Sequence, residues 1–312
     1  MTRSNEPRKR TMRIRNEEGL PMRKRTVALL AGVLALSATA VLAEGPTLFD
    51  PERGEISPDS RIPTRAELLN AIRNSAPQDL MMLLEYGERL ECAECMPLLE
   101  ERMYTDEDPD VRRLAAWWLR RRMFGSLDVE ERLFDTLRNS GDPVQRARAA
   151  MGLGEFQSAG ALPDFLHMAA SDPDATVREA VVKAAVRLNH RRSWEVLVEA
   201  MDDTDVAVRL SALHGVLKVN GFAGQRSVTE RLGDEDPRVR RLAAQLAGKL
   251  GIASAADTLQ RLLLEDEASM VRQAAAWALG KLGVGRSALT EARSKETNPR
   301  VRDAIEIALV AR

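Results

Sequence analysis

Apolar side chains recur along most of this chain with the spacing of amphipathic helices. In one segment they stand at offsets 0, 3, 4, 7 and 11, as Val271, Ala274, Ala275, Ala278 and Leu282. At about 100° per residue, this spacing places all five side chains on one face of a helix. The pattern therefore predicts a helix with one buried face and one solvent-facing side.

The same helix returns at a nearly fixed period, and a Val-Arg step opens most of its copies. In one copy Gln145 takes the place of the valine. The arginines of the successive copies are Arg112, Arg146, Arg178, Arg209, Arg240, Arg272 and Arg302. They are 30 to 34 residues apart. A fixed period in this range predicts stacked helical units, each of which buries its apolar face against its neighbours.

A first helix with an apolar stripe precedes each Val-Arg helix, and an acidic turn joins the two. Asp106–Pro109 and Asp234–Pro237 are examples of this turn. Aspartate supplies an acceptor for the N-cap, and proline suits the first helical turn because its missing N–H would be unpaired there. Glycines such as Gly251 and Gly283 follow the helix ends, where a left-handed residue is favoured. Each repeat is thus predicted to be a pair of helices.

The chain begins with a segment that looks like a targeting sequence. Arg23-Lys24-Arg25 precedes an apolar run over residues 26–42, which ends in small residues before Glu44. This order is typical of a cleaved signal peptide, and the run is also close to the length of an N-terminal membrane anchor. We therefore expect an exported protein, periplasmic or associated with the envelope. Membrane contact is expected only through residues 1–43, if they are not cleaved.

Two further boundaries follow from composition. Residues 44–63 are rich in proline and glycine and predict an extended linker. Residues 64–312 form the repeat array. Thr64 and Glu67 have the spacing of a capping box, and residues 64–90 predict an atypical first pair that caps the array.

The repeated phrase Asp-x(n)-Val-Arg-x-x-Ala-Ala-x-x-Leu-Gly resembles HEAT-like repeats of the short type, which also occur in phycobilin lyase subunits. The resemblance covers about residues 90–312. It implies an all-α fold, a right-handed α-solenoid of about eight helix pairs. It also implies that the recurrent arginines form a ladder, each bonded to a turn aspartate of its own or the adjacent repeat.

Charge argues against one class of ligand. Residues 44–312 carry 44 acidic and 37 basic side chains. Nucleic-acid binding needs a basic surface, so we expect no nucleic-acid partner.

The solvent-facing row of the second helices offers candidate binding residues. At offsets 2, 6 and 9 from the valine it holds Trp117, Trp277, Arg113, Arg120, Arg241, Gln245 and His214. The resemblance places this face on the concave side. Exposed tryptophan and arginine are favoured anchors of interfaces, so the row predicts a groove for a protein partner. The alternative is that neighbouring helices cover the rings.

The cysteine pair Cys92 and Cys95 has several interpretations. Export favours a disulfide that acts as a structural clip, with free thiols as the alternative. A haem-attachment motif would need histidine at position 96, which is Met96. The histidines lie in separate repeats, so we expect no metal site.

No hydrolase, phosphate-binding or metalloprotease motif is present in the sequence. We therefore expect a non-enzymatic scaffold or adaptor that binds an unidentified protein and needs no cofactor. Two alternatives stay open. One is an accessory or chaperone-like factor for loading a tetrapyrrole cofactor, and the other is a redox-linked module that uses Cys92 and Cys95.

Overall fold

The computed structural model describes residues 62–310, together with the backbone of residues 49–50 and 55–56. The expected signal peptide or anchor, residues 1–43, lies outside the described residues. Within the expected linker, strand β1 (Phe49–Asp50) pairs antiparallel with β2 (Glu55–Ile56). The proline and glycine content predicted extended backbone there, but not this pairing. The repeat array forms one compact unit.

Residues 62–310 contain sixteen α-helices, which form eight consecutive pairs, and no strand lies within this range. The predicted all-α solenoid of about eight helix pairs is confirmed. The helices are α1 (Arg65–Asn74), α2 (Pro77–Tyr86), α3 (Cys95–Thr105), α4 (Pro109–Arg120), α5 (Ser126–Asn139), α6 (Pro143–Phe156), α7 (Leu162–Ser171), α8 (Ala175–Leu188), α9 (Ser193–Ala200), α10 (Val206–Gly215), α11 (Gln225–Glu230), α12 (Pro237–Leu250), α13 (Ala256–Glu265), α14 (Ser269–Leu282), α15 (Arg286–Lys295) and α16 (Pro299–Val310).

The turn residues start the second helix of most pairs as their chemistry predicts. The side chain of Asp108 accepts a hydrogen bond from the backbone N–H of Asp110 at 2.8 Å, and Pro109 occupies the first helical position. Asp142, Asp174, Asp205 and Asp236 cap their helices in the same way. The caps satisfy backbone donors that have no partner inside the helix. Each turn therefore both ends one helix and begins the next.

The second helices of successive pairs approach one another closely through small residues. Gly154 packs against Ala184, Gly248 against Ala278, and Gly280 against Ala308. A Cβ atom at position 280 would lie 2.7 Å from the Cβ atom of Ala308. Glycine is therefore needed at this contact for steric reasons. We call the exposed side chains of α4, α6, α8, α10, α12, α14 and α16 the second-helix surface.

Successive pairs are also joined by ion pairs at the turns. Arg146 donates from Nε and Nη2 to the two carboxylate oxygens of Asp172 at 2.9 Å each, and from Nη1 to the carbonyl of Ser140. The other pairs of this kind are Arg178–Asp203, Arg209–Asp234, Arg240–Asp266 and Arg272–Glu296. Arg112 and Arg302 depart from the implied ladder, since within the described residues they bond only to backbone carbonyls of their own turns.

Candidate functional site

Three grooves lie on the second-helix surface. The N-terminal groove crosses α4, α6 and α8 and has a volume of about 350 Å³. The middle groove crosses α6, α8 and α10 and has a volume of about 790 Å³. The C-terminal groove crosses α12, α14 and α16 and has a volume of about 590 Å³. Each is within the size range of small-ligand sites.

Trp277 is the central aromatic side chain of the C-terminal groove. It stands on α14 at the position that Gln245 takes on α12 and Ile307 takes on α16, and all three line the groove. A Cβ atom at Gly248 would lie 2.9 Å from the ζ3 carbon of the Trp277 ring, so this glycine leaves room for the indole. The ring is partly buried, and with the exposed Met270 and Ile307 it gives the groove an apolar surface.

Cations surround this aromatic surface. Arg241, Lys249 and Arg300 line the C-terminal groove and form no salt bridge with any described residue. The Nζ atom of Lys281 lies 5.7 Å from the centroid of the Trp277 ring. The lining contains one carboxylate, on Asp303, which leaves the groove with a net positive charge. A flat aromatic wall beside unpaired cations is suited to a planar, conjugated anion.

The middle groove contains Arg113 and His214, but its charges are largely paired. Glu155 is 3 % exposed and forms an ion pair with Arg187 at 2.8 Å. Lys183 pairs with Glu179 at 2.9 Å. The predicted binding residues Arg113 and His214 therefore lie apart from Trp277, Arg241 and Gln245, on a different part of the surface.

Trp117 and Arg120 lie outside these three groove linings. The guanidinium of Arg121 lies 4.5 Å from the centroid of the Trp117 ring and covers it. The Nη1 atom of Arg120 donates to the carbonyl of Glu155 at 2.9 Å, which joins α4 to α6. The seven residues predicted for one binding row are therefore divided between separate places.

The assignment of offset 9 to solvent was wrong. Gly248 and Gly280 stand at this offset, and both pack against the next second helix. Offset 10 lies on the exposed side instead, where it places Lys249 and Lys281 in the C-terminal groove. Offsets 2, 6 and 10 differ by four residues and share one helix face, so spacing alone could have identified these lysines.

Cys92 and Cys95 form a disulfide, with an S–S distance of 2.01 Å. Both residues are almost fully buried, at the start of α3 and in the loop before it. Their burial favours a structural clip over a redox pair that exchanges with a partner. Among the described residues, no cluster of three or more His, Cys, Asp or Glu side chains could hold a metal ion.

In residues 62–310 no helix combines the length and the apolar character needed to cross a bilayer.

Comparison with known proteins identifies the repeats. The family model for HEAT repeats matches residues 130–216 and 226–310, which is more than half of the chain. Among solved structures, the YibA protein of Escherichia coli superimposes with a TM-score of 0.50 and 17 % identity over 79 % of this chain and 92 % of its own. The complex of CpcE and CpcF of phycocyanin lyase from Nostoc sp. PCC7120 gives a TM-score of 0.37 and 19 % identity over 69 % of this chain and 94 % of that one.

A sequence relative bears on function. The bilin biosynthesis protein PecE of Mastigocladus laminosus is 26 % identical over 144 residues, which are 45 % of this chain and 53 % of the relative. The chain thus spans about half the length of this curated relative. The match corrects the expectation of a non-enzymatic scaffold, since the relative is named for the biosynthesis of a linear tetrapyrrole. It agrees better with the alternative, a factor for tetrapyrrole loading.

Proposed function

The chain belongs to the HEAT repeat family, and we propose that it handles a bilin: it binds this linear tetrapyrrole and helps to attach it to an acceptor protein. The observation that carries the proposal is the 26 % identity to a bilin biosynthesis protein. The proposed activity is of the lyase type, in which the tetrapyrrole is joined to protein. This proposal takes the place of the scaffold role expected from the sequence.

The C-terminal groove supports this proposal by its chemistry. A bilin has a conjugated chain of pyrrole rings and propionate carboxylates. The ring of Trp277 offers a face on which a conjugated system can stack, and Met270 and Ile307 offer further apolar contacts. Arg241 and Arg300 have no carboxylate partner among the described residues and can bind the propionates, for which the planar guanidinium is well suited.

A protein partner is part of the proposal, because attachment needs an acceptor. HEAT repeats present long surfaces to other proteins. The second-helix surface beyond the C-terminal groove is open to such a partner, and Arg113 and His214 are exposed on it. The groove would hold the pigment, and the remaining surface would position the acceptor beside it.

Titration with biliverdin tests the binding step. Purified protein is mixed with increasing biliverdin, and absorbance and visible circular dichroism are recorded. We expect a saturable absorbance change and an induced dichroism signal, because an asymmetric groove fixes one twist of the pigment. The dimethyl ester of biliverdin is the matched control and should bind more weakly, since it lacks the carboxylates. No saturable change with biliverdin would refute the proposal.

We propose separately that the protein is exported. The buried Cys92–Cys95 disulfide supports it, because disulfides persist in oxidising compartments. Mass spectrometry of the native N-terminus tests it: a start at Glu44 is expected, and an intact N-terminal segment in a cytosolic fraction would argue against export.

A further inference from the structure

Among the ladder arginines that are followed by another described helix pair, only Arg112 lacks a carboxylate partner within the described residues. In the regular repeats, a turn residue such as Asp172 accepts from the backbone N–H two residues later, that of Asp174, at 3.0 Å, and also binds the arginine of the preceding pair. Between α5 and α6 this turn residue is Ser140. Its Oγ atom accepts from the N–H of Asp142 at 3.2 Å, so the turn is kept. The hydroxyl cannot replace the carboxylate that Arg112 would bind.

As a result, only one of the three guanidinium nitrogens of Arg112 donates a hydrogen bond to a described residue. Its Nη1 atom donates to the carbonyls of Asp106 and Glu107 at 2.6 and 2.9 Å. Its Nε and Nη2 atoms have no partner within the described residues, whereas the same two atoms donate to a carboxylate in Arg146, Arg178, Arg240 and Arg272. Burial and then the charge of Arg148 lower the pKa of Arg112, whereas the hydrogen bond to Asp172 raises the pKa of Arg146.

A second unusual arginine lies beside the first. Arg148 stands on α6 at offset 3, where the other second helices carry apolar or small residues such as Leu242 and Ala274. Its Nη1 atom donates to the carbonyl of Tyr104. The guanidinium groups of Arg112 and Arg148 are therefore anchored to one short stretch, the end of α3 and the turn after it, and both residues line the N-terminal groove.

The other charges of the N-terminal groove are already balanced by the protein. They form three ion pairs, Arg113–Asp110, Lys183–Glu179 and Arg187–Glu155, at 2.8 to 3.1 Å. Arg112 and Arg148 form no salt bridge with any described residue. The groove therefore has one localised excess of positive charge, at the position where the ladder lacks its carboxylate.

The remainder of the groove is apolar. Met103, Val144 and Met151 are among its lining residues, and Val144 is 47 % exposed. A volume of about 350 Å³ accommodates a small molecule and not a folded partner. The lining thus combines two guanidinium groups with methionine and valine side chains, and this combination is the complement of an organic acid with an apolar body.

We propose that the N-terminal groove binds a small organic carboxylate. The carboxylate takes the place that an aspartate takes in the regular repeats, bonded to Arg112 and Arg148, and the apolar body rests on Val144 and Met151. This site is separate from the C-terminal groove, so it does not depend on the proposed handling of a bilin.

Titration with hexanoate tests the site, with hexanamide as the neutral ligand of matched size. Calorimetry should show saturable binding of hexanoate and at least roughly tenfold weaker binding of hexanamide, since a charge-assisted bidentate bond contributes more than about 1.4 kcal/mol. Arg112→Gln should abolish hexanoate binding. Equal binding of the two ligands, or no binding of hexanoate at millimolar concentration, would overturn the proposal.

The variant Ser140→Asp provides a second, independent measurement. It supplies the carboxylate from within the chain, so it should raise the unfolding temperature and weaken hexanoate binding together. Ser140→Asn is the matched control, because it keeps a turn acceptor without the charge and should retain binding. Unchanged hexanoate affinity in Ser140→Asp would contradict the site. Biliverdin binding should be unaffected by either variant, which separates this site from the proposed bilin function.

Discussion

Arg146 and Asp172 lie in successive helix pairs and form a two-bond ion pair, in which Nε and Nη2 each donate to one carboxylate oxygen at 2.9 Å. Both side chains are largely buried, at 12 % and 4 % exposure. The third nitrogen of Arg146 donates to the carbonyl of Ser140 in its own turn. One guanidinium thus links two turns, and its fixed geometry sets the distance between adjacent repeats.

Asp172→Asn should destabilise the array by roughly 2–3 kcal/mol, because it leaves the charge of Arg146 partly buried without its counterion. Urea unfolding followed by circular dichroism measures the effect. Glu291→Gln is the control, since Glu291 pairs with Lys295 on an exposed face and should cost less than about 0.5 kcal/mol. Equal losses in the two variants would show that the ladder has no special part in stability.

The pair between Arg272 and Glu296 should make stability depend on pH. The hydrogen bond from Arg272 lowers the pKa of Glu296 below its ordinary value of 4.5. A carboxylate whose pKa is lower in the folded state stabilises that state above its unfolded pKa, and this contribution is lost as pH falls through the folded pKa. Glu296→Gln should therefore be less stable than wild type at pH 7, and the difference should shrink below about pH 4.

Urea unfolding of both proteins at a series of pH values measures this difference. The Glu291→Gln variant is again the comparison, because Glu291 pairs with Lys295 on an exposed face, where an ion pair contributes little to stability. A difference between Glu296→Gln and wild type that stays constant from pH 7 to pH 3 would contradict the assignment.

The sequence predicted the repeat architecture because each helix pair carries its own local signals. The predicted apolar face of α14 is buried, with Val271 and Ala275 fully inaccessible. The exposed face was harder to predict, because it depends on how closely neighbouring helices approach. Trp117 and Trp118 show this difficulty: Trp118 is fully buried and donates from Nε1 to the carbonyl of Gly87, whereas Trp117 is covered by Arg121.

The functional expectation failed for a different physical reason. Catalytic motifs are compact sets of nucleophiles, acids and metal ligands at characteristic spacings. In the C-terminal groove, where we propose that a bilin binds, the lining is instead a tryptophan and cations on three helices, α12, α14 and α16, which are far apart in sequence. Such a set has no motif of its own. The helical offsets placed Arg241 and Trp277 in one row, but only the stacking of the repeats brings Arg300 beside them.

Gly280→Ala should destabilise the chain although alanine is the better helix former. The added Cβ would lie 2.8 Å from the Cα atom of Ala308, so α14 and α16 would have to move apart. Overpacking of this kind costs about 1–3 kcal/mol, against a gain in helix propensity of about 1 kcal/mol. Thermal unfolding measures the net loss. Gly141→Ala, where no atom lies within 4 Å of the added Cβ, should be nearly neutral, and equal effects would argue against close helix packing.

Trp277→Ala should weaken biliverdin binding roughly tenfold, because it removes the aromatic face of the C-terminal groove. Trp117→Ala is the matched control: it removes the same side chain outside that groove, where Arg121 covers the ring. Its affinity for biliverdin should stay close to wild type. Absorbance titration of the three proteins distinguishes the possibilities. Equal weakening by the two variants would place the pigment elsewhere, and loss only with Trp117→Ala would transfer the site to the N-terminal half of the array.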